Sequence, residues 1–212
     1  MTPNRFQRRP LLAWAAASLV LTLAACGGGG GSSGTPVTPA PTPVTPTVTH
    51  KVRLTTSLGV IELGLDRTHA PVTVDNFLKY VNDGFYAGTV FHRVINNFVV
   101  QGGGVTRTAA GLVEKTPTYP AIVLESQNGL SNLRGTLAMA RTAVANSATS
   151  QFYVNVVDNT SLDYQSPANP GYAVFGQVTA GMDIVDKIRA VSTNGQDVPL
   201  VDVTITEAKL IP

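Results

Sequence analysis

The sequence predicts a mainly β domain over residues 51–212, a closed antiparallel β-barrel capped by two α-helices. Three observations point there. Short β-rich runs separated by turn residues fill the chain from residue 52 onward. Helical periodicity appears in only two stretches, near residues 71–84 and 182–190, too few and too distant for the alternation that winds a parallel sheet. Apolar residues make up 43% of the chain and charged residues 13%, so a domain of this size buries a substantial core without disulfides.

Residues 1–50 are expected to lie outside this fold. Arg5, Arg8 and Arg9 precede an apolar run over 11–25, the layout of a secretory signal. The run is shorter than the roughly 18–20 apolar residues of a spanning helix. It ends in Leu23-Ala24-Ala25-Cys26, which resembles the bacterial lipobox. That resemblance implies cleavage after residue 25 and a lipid anchor on Cys26, stable because each buried methylene contributes about 0.8 kcal/mol. A plain small-residue cleavage site beside an incidental cysteine is the alternative. Arg8-Arg9 also suggests a twin-arginine signal, but Pro10 fits that pattern poorly. Gly27 lacks the aspartate that some bacteria read as inner-membrane retention, so the expectation is the periplasmic face of the outer membrane.

After Cys26, residues 27–34 are a Gly/Ser tract and 35–49 repeat Pro with Thr and Val, so 26–50 reads as a disordered linker. Its Pro/Thr part favours polyproline II, spanning roughly 40–50 Å. A spacer is the simplest role; a ligand for a partner's aromatic groove is the other.

Within the domain, runs 52–56 and 60–65 around Ser57-Leu58-Gly59 make a hairpin. Pro71 opens a helix in which Val74, Phe77, Leu78 and Val81 recur at helical spacing, and Gly84 stops it. Further strands are expected over 89–95, 98–100, 136–139, 151–156, 172–178 and 201–209. Strand order is not legible from spacing.

Composition also excludes function classes. A formal charge of +2, with Lys and Arg scattered, argues against a nucleic-acid partner. Cys26 is the only cysteine, and His50, His69 and His92 lack metal-ligand spacing, so no disulfide, metal or cofactor is expected. The domain is read as a monomer.

The chemistry concentrates in Phe91-His92-Arg93-Val94-Ile95-Asn96-Asn97-Phe98-Val99-Val100-Gln101-Gly102-Gly103. This block resembles the cyclophilin signature. The resemblance continues through Gly135-Thr136-Leu137-Ala138-Met139-Ala140-Arg141, Ser150-Gln151-Phe152-Tyr153-Val154-Asn155 and Gly171-Tyr172-Ala173-Val174-Phe175-Gly176. Four blocks in order cover essentially all of 51–212. They imply an eight-stranded barrel with a helix at each end, and a peptidyl-prolyl cis/trans isomerase whose partners are proline-containing polypeptides held in an outer groove.

The reaction needs little more than a shaped apolar pocket and one well-held cation. An X-Pro bond prefers trans by only about 0.5–1 kcal/mol, yet its rotation crosses a resonance barrier of about 18–20 kcal/mol. As the bond twists, the prolyl nitrogen gains a lone pair to which a guanidinium can donate, and Arg93 is the candidate. Strand alternation puts Val99 and Gln101 on one face, Val99 to line the pocket and Gln101 to fix the Arg93 fork. Phe98 completes the wall, and Arg93, Phe98 and Gln101 form the catalytic set. By resemblance Tyr153 and Leu162 close the pocket, Ala140 and Arg141 offer backbone groups to an extended peptide, and Gln151 and Tyr172 border the groove.

Blander readings stand beside these. Arg93 alone is an ordinary solvated arginine; its block gives it meaning. Phe98, Val99, Tyr153 and Leu162 are residue types equally at home in a core. His92 points away from Arg93 by alternation and reads as structural. Gly102-Gly103-Gly104 precedes neither Lys-Ser/Thr nor a helix, and Asp158 and Asp163 form no paired-carboxylate pattern. The chain departs from many eukaryotic cyclophilins at Ser161, where they carry tryptophan, at Tyr172, where they carry histidine, and at Tyr153, where phenylalanine is commoner. Loss of the indole implies low sensitivity to cyclosporin. The Tyr153 hydroxyl falls at the pocket rim or floor. Rival functions are a non-catalytic proline-peptide-binding or chaperone module on the same fold, and a structural lipoprotein.

Overall fold

The computed structural model describes residues 44–212. Cys26, the predicted signal peptide and most of the predicted linker lie outside the described residues. Strands β1 (His50–Thr56) and β2 (Gly59–Leu65) form the expected hairpin, followed by helix α1 (Pro71–Asn82). Then come β3 (Arg93–Val94), β4 (Val99–Gly102), β5 (Val105–Thr108), β6 (Gly111–Glu114), β7 (Thr136–Met139) and β8 (Phe152–Asn155). A 3₁₀ turn (Thr160–Leu162), β9 (Val174–Ala180), α2 (Met182–Arg189) and β10 (Ile205–Ile211) complete the chain.

Eight strands form one antiparallel sheet in the order β10-β1-β2-β9-β7-β8-β4-β3. The predicted barrel holds in strand number and sense, but "closed" overstates it: the terminal strands β3 and β10 share no ladder. The sheet curls until a seam forms beside them, stitched by the single Val90↔Thr204 bridge. Phe91 N–H donates to the Val203 carbonyl at 2.9 Å, and Ile205 N–H to that of Thr89 at 2.8 Å.

Inside the curl, Leu54, Ile61, Leu63 and Leu65 meet the apolar faces of both helices, with Phe77 and Tyr80 from α1 and Val185 and Ile188 from α2 fully buried. Each such side chain contributes about 1.5–3 kcal/mol of transfer free energy. Phe77 is the aromatic centre, 5.1 Å from Tyr86, 5.2 Å from Phe175 and edge-on to Phe152 at 5.5 Å. Pro71 starts α1 without a side-chain cap of its own; the Glu125 carboxylate instead accepts from Val72 N–H at 3.1 Å and Thr73 N–H at 2.8 Å.

Several boundaries differ from the sequence reading. The linker expected over 26–50 reaches into the fold at its end: Val44 pairs with Leu130, and Thr49 donates its N–H and hydroxyl to the Leu65 carbonyl. Thr47 N–H donates to the buried Asp66 carboxylate at 2.7 Å, and His50 opens β1. A Pro/Thr composition disfavours a core but does not prevent backbone groups from docking on one. The run 89–95 yields only β3 as ladder, and the two C-terminal runs shift to 174–180 and 205–211. The β5–β6 hairpin has no counterpart in the sequence reading, because its strands are short and half-exposed and form a ladder only with each other, β5 touching the rest through the Thr89↔Thr106 bridge.

Candidate active site

Four strands bring the site together by register. Arg93 pairs with Gln101, Gln101 with Tyr153, and Tyr153 with Ala138 across β3, β4, β8 and β7. Paired residues share a face, so Arg93, Gln101 and Tyr153 stand in one row on the outer side, with Val99 two residues along β4. The neighbouring row, Val94, Val100, Val154 and Leu137, enters the core.

Every predicted groove residue except Gln151 lines one pocket of about 130 Å³. This is well below the roughly 300–1,000 Å³ of drug-sized sites and on the scale of a single small ring. Val99 and Tyr153 form its floor, 2% and 4% exposed. They belong to a small apolar cluster with Leu130, Ala138 and Val174, on which Phe98, Ala140, Leu162 and Tyr172 pack. The pocket thus has an apolar foundation separate from the core. Phe98 comes from the turn between β3 and β4, where its N–H donates to the Ile95 carbonyl at 3.0 Å. Leu162 ends the 3₁₀ turn, and Tyr172 N–H donates to its carbonyl at 2.9 Å.

The two arginines differ in how they are held. Arg141 lies 4.5 Å over the Tyr172 ring and donates to the carbonyls of Gly171 and Thr142, both at 2.9 Å. Arg93 lies 6.0 Å from the Phe98 ring centroid. Its guanidinium makes no hydrogen bond or ion pair among the described residues. Its guanidinium is therefore available to a ligand.

One expected contact is corrected and another is narrowed. Gln101 does not fix the Arg93 fork: its Nε2 donates to Gln151 Oε1 at 3.0 Å, because the planar amide finds a matching amide on the strand side away from Arg93. That bond is how Gln151 joins the site. Of the Ala140 backbone groups, the N–H is taken by the Gln151 carbonyl at 3.0 Å, which leaves its carbonyl for a peptide. The Tyr153 hydroxyl lies beneath the floor, where it donates to Asn132 Oδ1 at 2.9 Å. Burial pushes the Tyr153 phenol well above its usual value, Tyr172 and Asp163 adding to the effect, so it stays a donor.

The remaining titratable candidates are structural. Burial pushes the His92 imidazole below its usual value, and the ring is outside the pocket lining. Asp158 accepts from Arg134 N–H at 2.8 Å, and Asp163 accepts from the Asn132 N–H at 2.7 Å and from Ser131. Sequence reasoning missed Asn132, Asn155 and Asn159, all buried behind the pocket, and Glu114 of β6, which accepts from Gln151 Nε2 at 3.4 Å. The available signal was asparagine inside or beside strand sequence, a residue depleted there and seldom buried without a partner.

The site is an apolar pocket of one-ring size beside a free guanidinium on the outside of a curled sheet, and the chain that builds it is similar to known proteins. The family model described as cyclophilin type peptidyl-prolyl cis-trans isomerase/CLD matches residues 51–210. Over 169 residues the chain is 52% identical to peptidyl-prolyl cis-trans isomerase A of Dickeya dadantii, covering 78% of this chain and 86% of that one. Over 142 residues it is 52% identical to peptidyl-prolyl cis-trans isomerase B of Escherichia coli, covering 64% and 84%. A solved cyclophilin-type isomerase from Cryptosporidium parvum shares the fold with a TM-score of 0.63 at 22% identity, covering 77% and 98%. Sequence match and fold agree, and the chain belongs to the cyclophilin-type peptidyl-prolyl cis-trans isomerase family.

Proposed function

We propose that the domain isomerises X-Pro bonds in exported polypeptides, assisting their folding, with Arg93 as the catalytic donor. The observation that carries this reading is the Arg93 guanidinium, unpartnered among the described residues beside a one-ring pocket, while the neighbouring Gln101 and Arg141 side chains already donate elsewhere. The prolyl ring sits on Val99 and Tyr153 between Phe98 and Leu162. The preceding carbonyl then swings, and Arg93 donates to the prolyl nitrogen as it becomes pyramidal. No bond forms or breaks and no proton is transferred. Each 1.36 kcal/mol of selective transition-state stabilisation gives a factor of ten, so several decades of acceleration require roughly 6–8 kcal/mol. One hydrogen bond supplies part; immobilising the ring supplies much of the rest.

Cys26 carries the anchor in this reading, and the Gly/Ser and Pro/Thr linker holds the domain away from the periplasmic face of the outer membrane. Two measurements test the proposal. Isomerisation of a short Ala-Pro peptide by the chain from residue 27 onward should exceed the uncatalysed rate and collapse in Arg93→Ala and Phe98→Ala. Binding without acceleration would favour a non-catalytic peptide-binding module. Replacing Cys26 by Ser should move the full chain from the membrane to the soluble fraction, and unchanged fractionation would remove the anchor.

A further inference from the structure

Strand ladders hold Val99, Gln101 and Tyr153, whereas Phe98 and Leu162 lie in turns tied back by backbone bonds, Val156 N–H donating to the Phe98 carbonyl at 3.1 Å and Tyr172 N–H to that of Leu162 at 2.9 Å. A buried chain of asparagines joins these two turns to each other and to the pocket floor. Asn159 Nδ2 donates to the Phe98 carbonyl and to Asn155 Oδ1, both at 2.8 Å. The Asn159 carbonyl accepts from Leu162 N–H at 2.8 Å, and its own N–H donates to the Asn132 carbonyl at 2.7 Å. Asn132 Oδ1 in turn accepts from the Tyr153 hydroxyl at 2.9 Å and from Asn155 Nδ2 at 3.1 Å. The Asn132 amide Nδ2 donates to Asp163 at 2.8 Å, and Asn155 Nδ2 also reaches Thr136 Oγ1 at 3.0 Å. Asn132 and Asn155 are 0% exposed and Asn159 7%.

We propose that Asn159 and Asn132 are positioning residues, setting the spacing of Phe98, Leu162 and Tyr153 around a bound proline ring. The inference rests on the isomerase reading for what the pocket holds. Amides in a dry interior bond with narrow geometry, and leaving one unpaired is costly, so a chain of linked amides has few arrangements. The attached walls inherit it. Apolar packing alone is less directional and would let the two turns slide. The Tyr153 hydroxyl, which phenylalanine lacks, extends the chain to the floor. Arg93 is not part of it. Loosening the chain therefore weakens the grip on proline in ground and transition states alike, which raises KM and leaves kcat nearly unchanged.

The test uses the chain from residue 27 onward and NMR exchange on an Ala-Pro peptide, which yields kcat, KM and the peptide Kd separately. Asn159→Ala and the isosteric Asn159→Asp, which loses the donor, should each raise KM and Kd about tenfold with kcat within twofold. Tyr153→Phe should raise both two- to fivefold. Adding Asn132→Ala to Tyr153→Phe should cost less than in the wild-type background. Arg93→Ala should show the opposite split, with kcat falling. Folded variants with lower stability but unchanged KM and Kd would overturn the proposal. If the asparagine variants fail to fold, unchanged KM and Kd in Tyr153→Phe overturns it. Should the wild type bind peptide without turning it over, the isomerase reading falls while Kd still tests the positioning role; with no binding at all, both fall.

Discussion

Arg93 and Gln101 face each other across the β3–β4 ladder, yet the Gln101 amide donates to Gln151, 3.0 Å away, and leaves the guanidinium alone. In the proposed mechanism Gln101 therefore shapes the groove border and Arg93 is the donor to the substrate. Arg93→Ala should lower kcat/KM by about 10²–10³, as removal of one transition-state donor does elsewhere. Gln101→Ala and Gln151→Ala should each cost less, by similar factors, and the double variant little more than either single. A protease-coupled or NMR isomerisation assay measures all four. Additive losses would mean that the two amides act separately.

Ser161 is exposed in the 3₁₀ turn, next to Leu162 of the pocket wall. With no indole there to cover a bulky cyclic peptide, wild-type inhibition by cyclosporin should be weak. Ser161→Trp should tighten it at least tenfold while changing turnover of a short peptide less than threefold. Half-inhibition of the wild type at nanomolar drug would refute the assignment.

Asp66 is fully buried between the entering chain and α1. Burial pushes its carboxyl up, but the Thr47 N–H and the hydrogen-bonding His69 outweigh that, and it settles below the usual carboxylate value. His69 Nδ1 is 2.7 Å away. A depressed folded pKa means the stabilisation is present above the unfolded value of about 3.9 and is lost as pH falls through the folded one. Asp66→Asn should destabilise the domain by about 2–4 kcal/mol at pH 7 and flatten the stability profile below about pH 4. Urea midpoints from pH 2 to 7 check both; an unchanged slope would show that other carboxylates govern acid unfolding.

Gly171 has φ of +62°, and a Cβ there would lie 2.5 Å from the Asp163 carbonyl carbon and 2.6 Å from Tyr164 N. Those are backbone atoms of the segment carrying Leu162, so they cannot swing aside. Gly171→Ala should cost about 2–4 kcal/mol through strain and overlap. It should also weaken peptide binding, since the Gly171 carbonyl holds Arg141 and the next residue is Tyr172. Denaturant midpoint and peptide Kd report the two effects.

Legible in the order of amino acids were the strand-rich domain, both helices and a set of residues that the fold gathers into one pocket. Hydrophobic period and turn chemistry are local, and the four contiguous blocks carry nearly the whole pocket lining. Strand alternation also placed Val99 and Gln101 on one face correctly, because that period depends only on the pleat. Tertiary structure decided which polar groups pair. Gln101 with Gln151, Tyr153 with Asn132, and Asn159 with Phe98 join residues 50, 21 and 61 positions apart. Such pairs depend on cross-strand register and on where turns fold back, and a one-residue slip would reverse every facing side chain. The same holds for the Val90↔Thr204 seam and for Thr47 docking on Asp66. Local composition specifies an element's type, whereas a directional hydrogen bond also requires the position and orientation of a distant partner, which only the folded chain supplies.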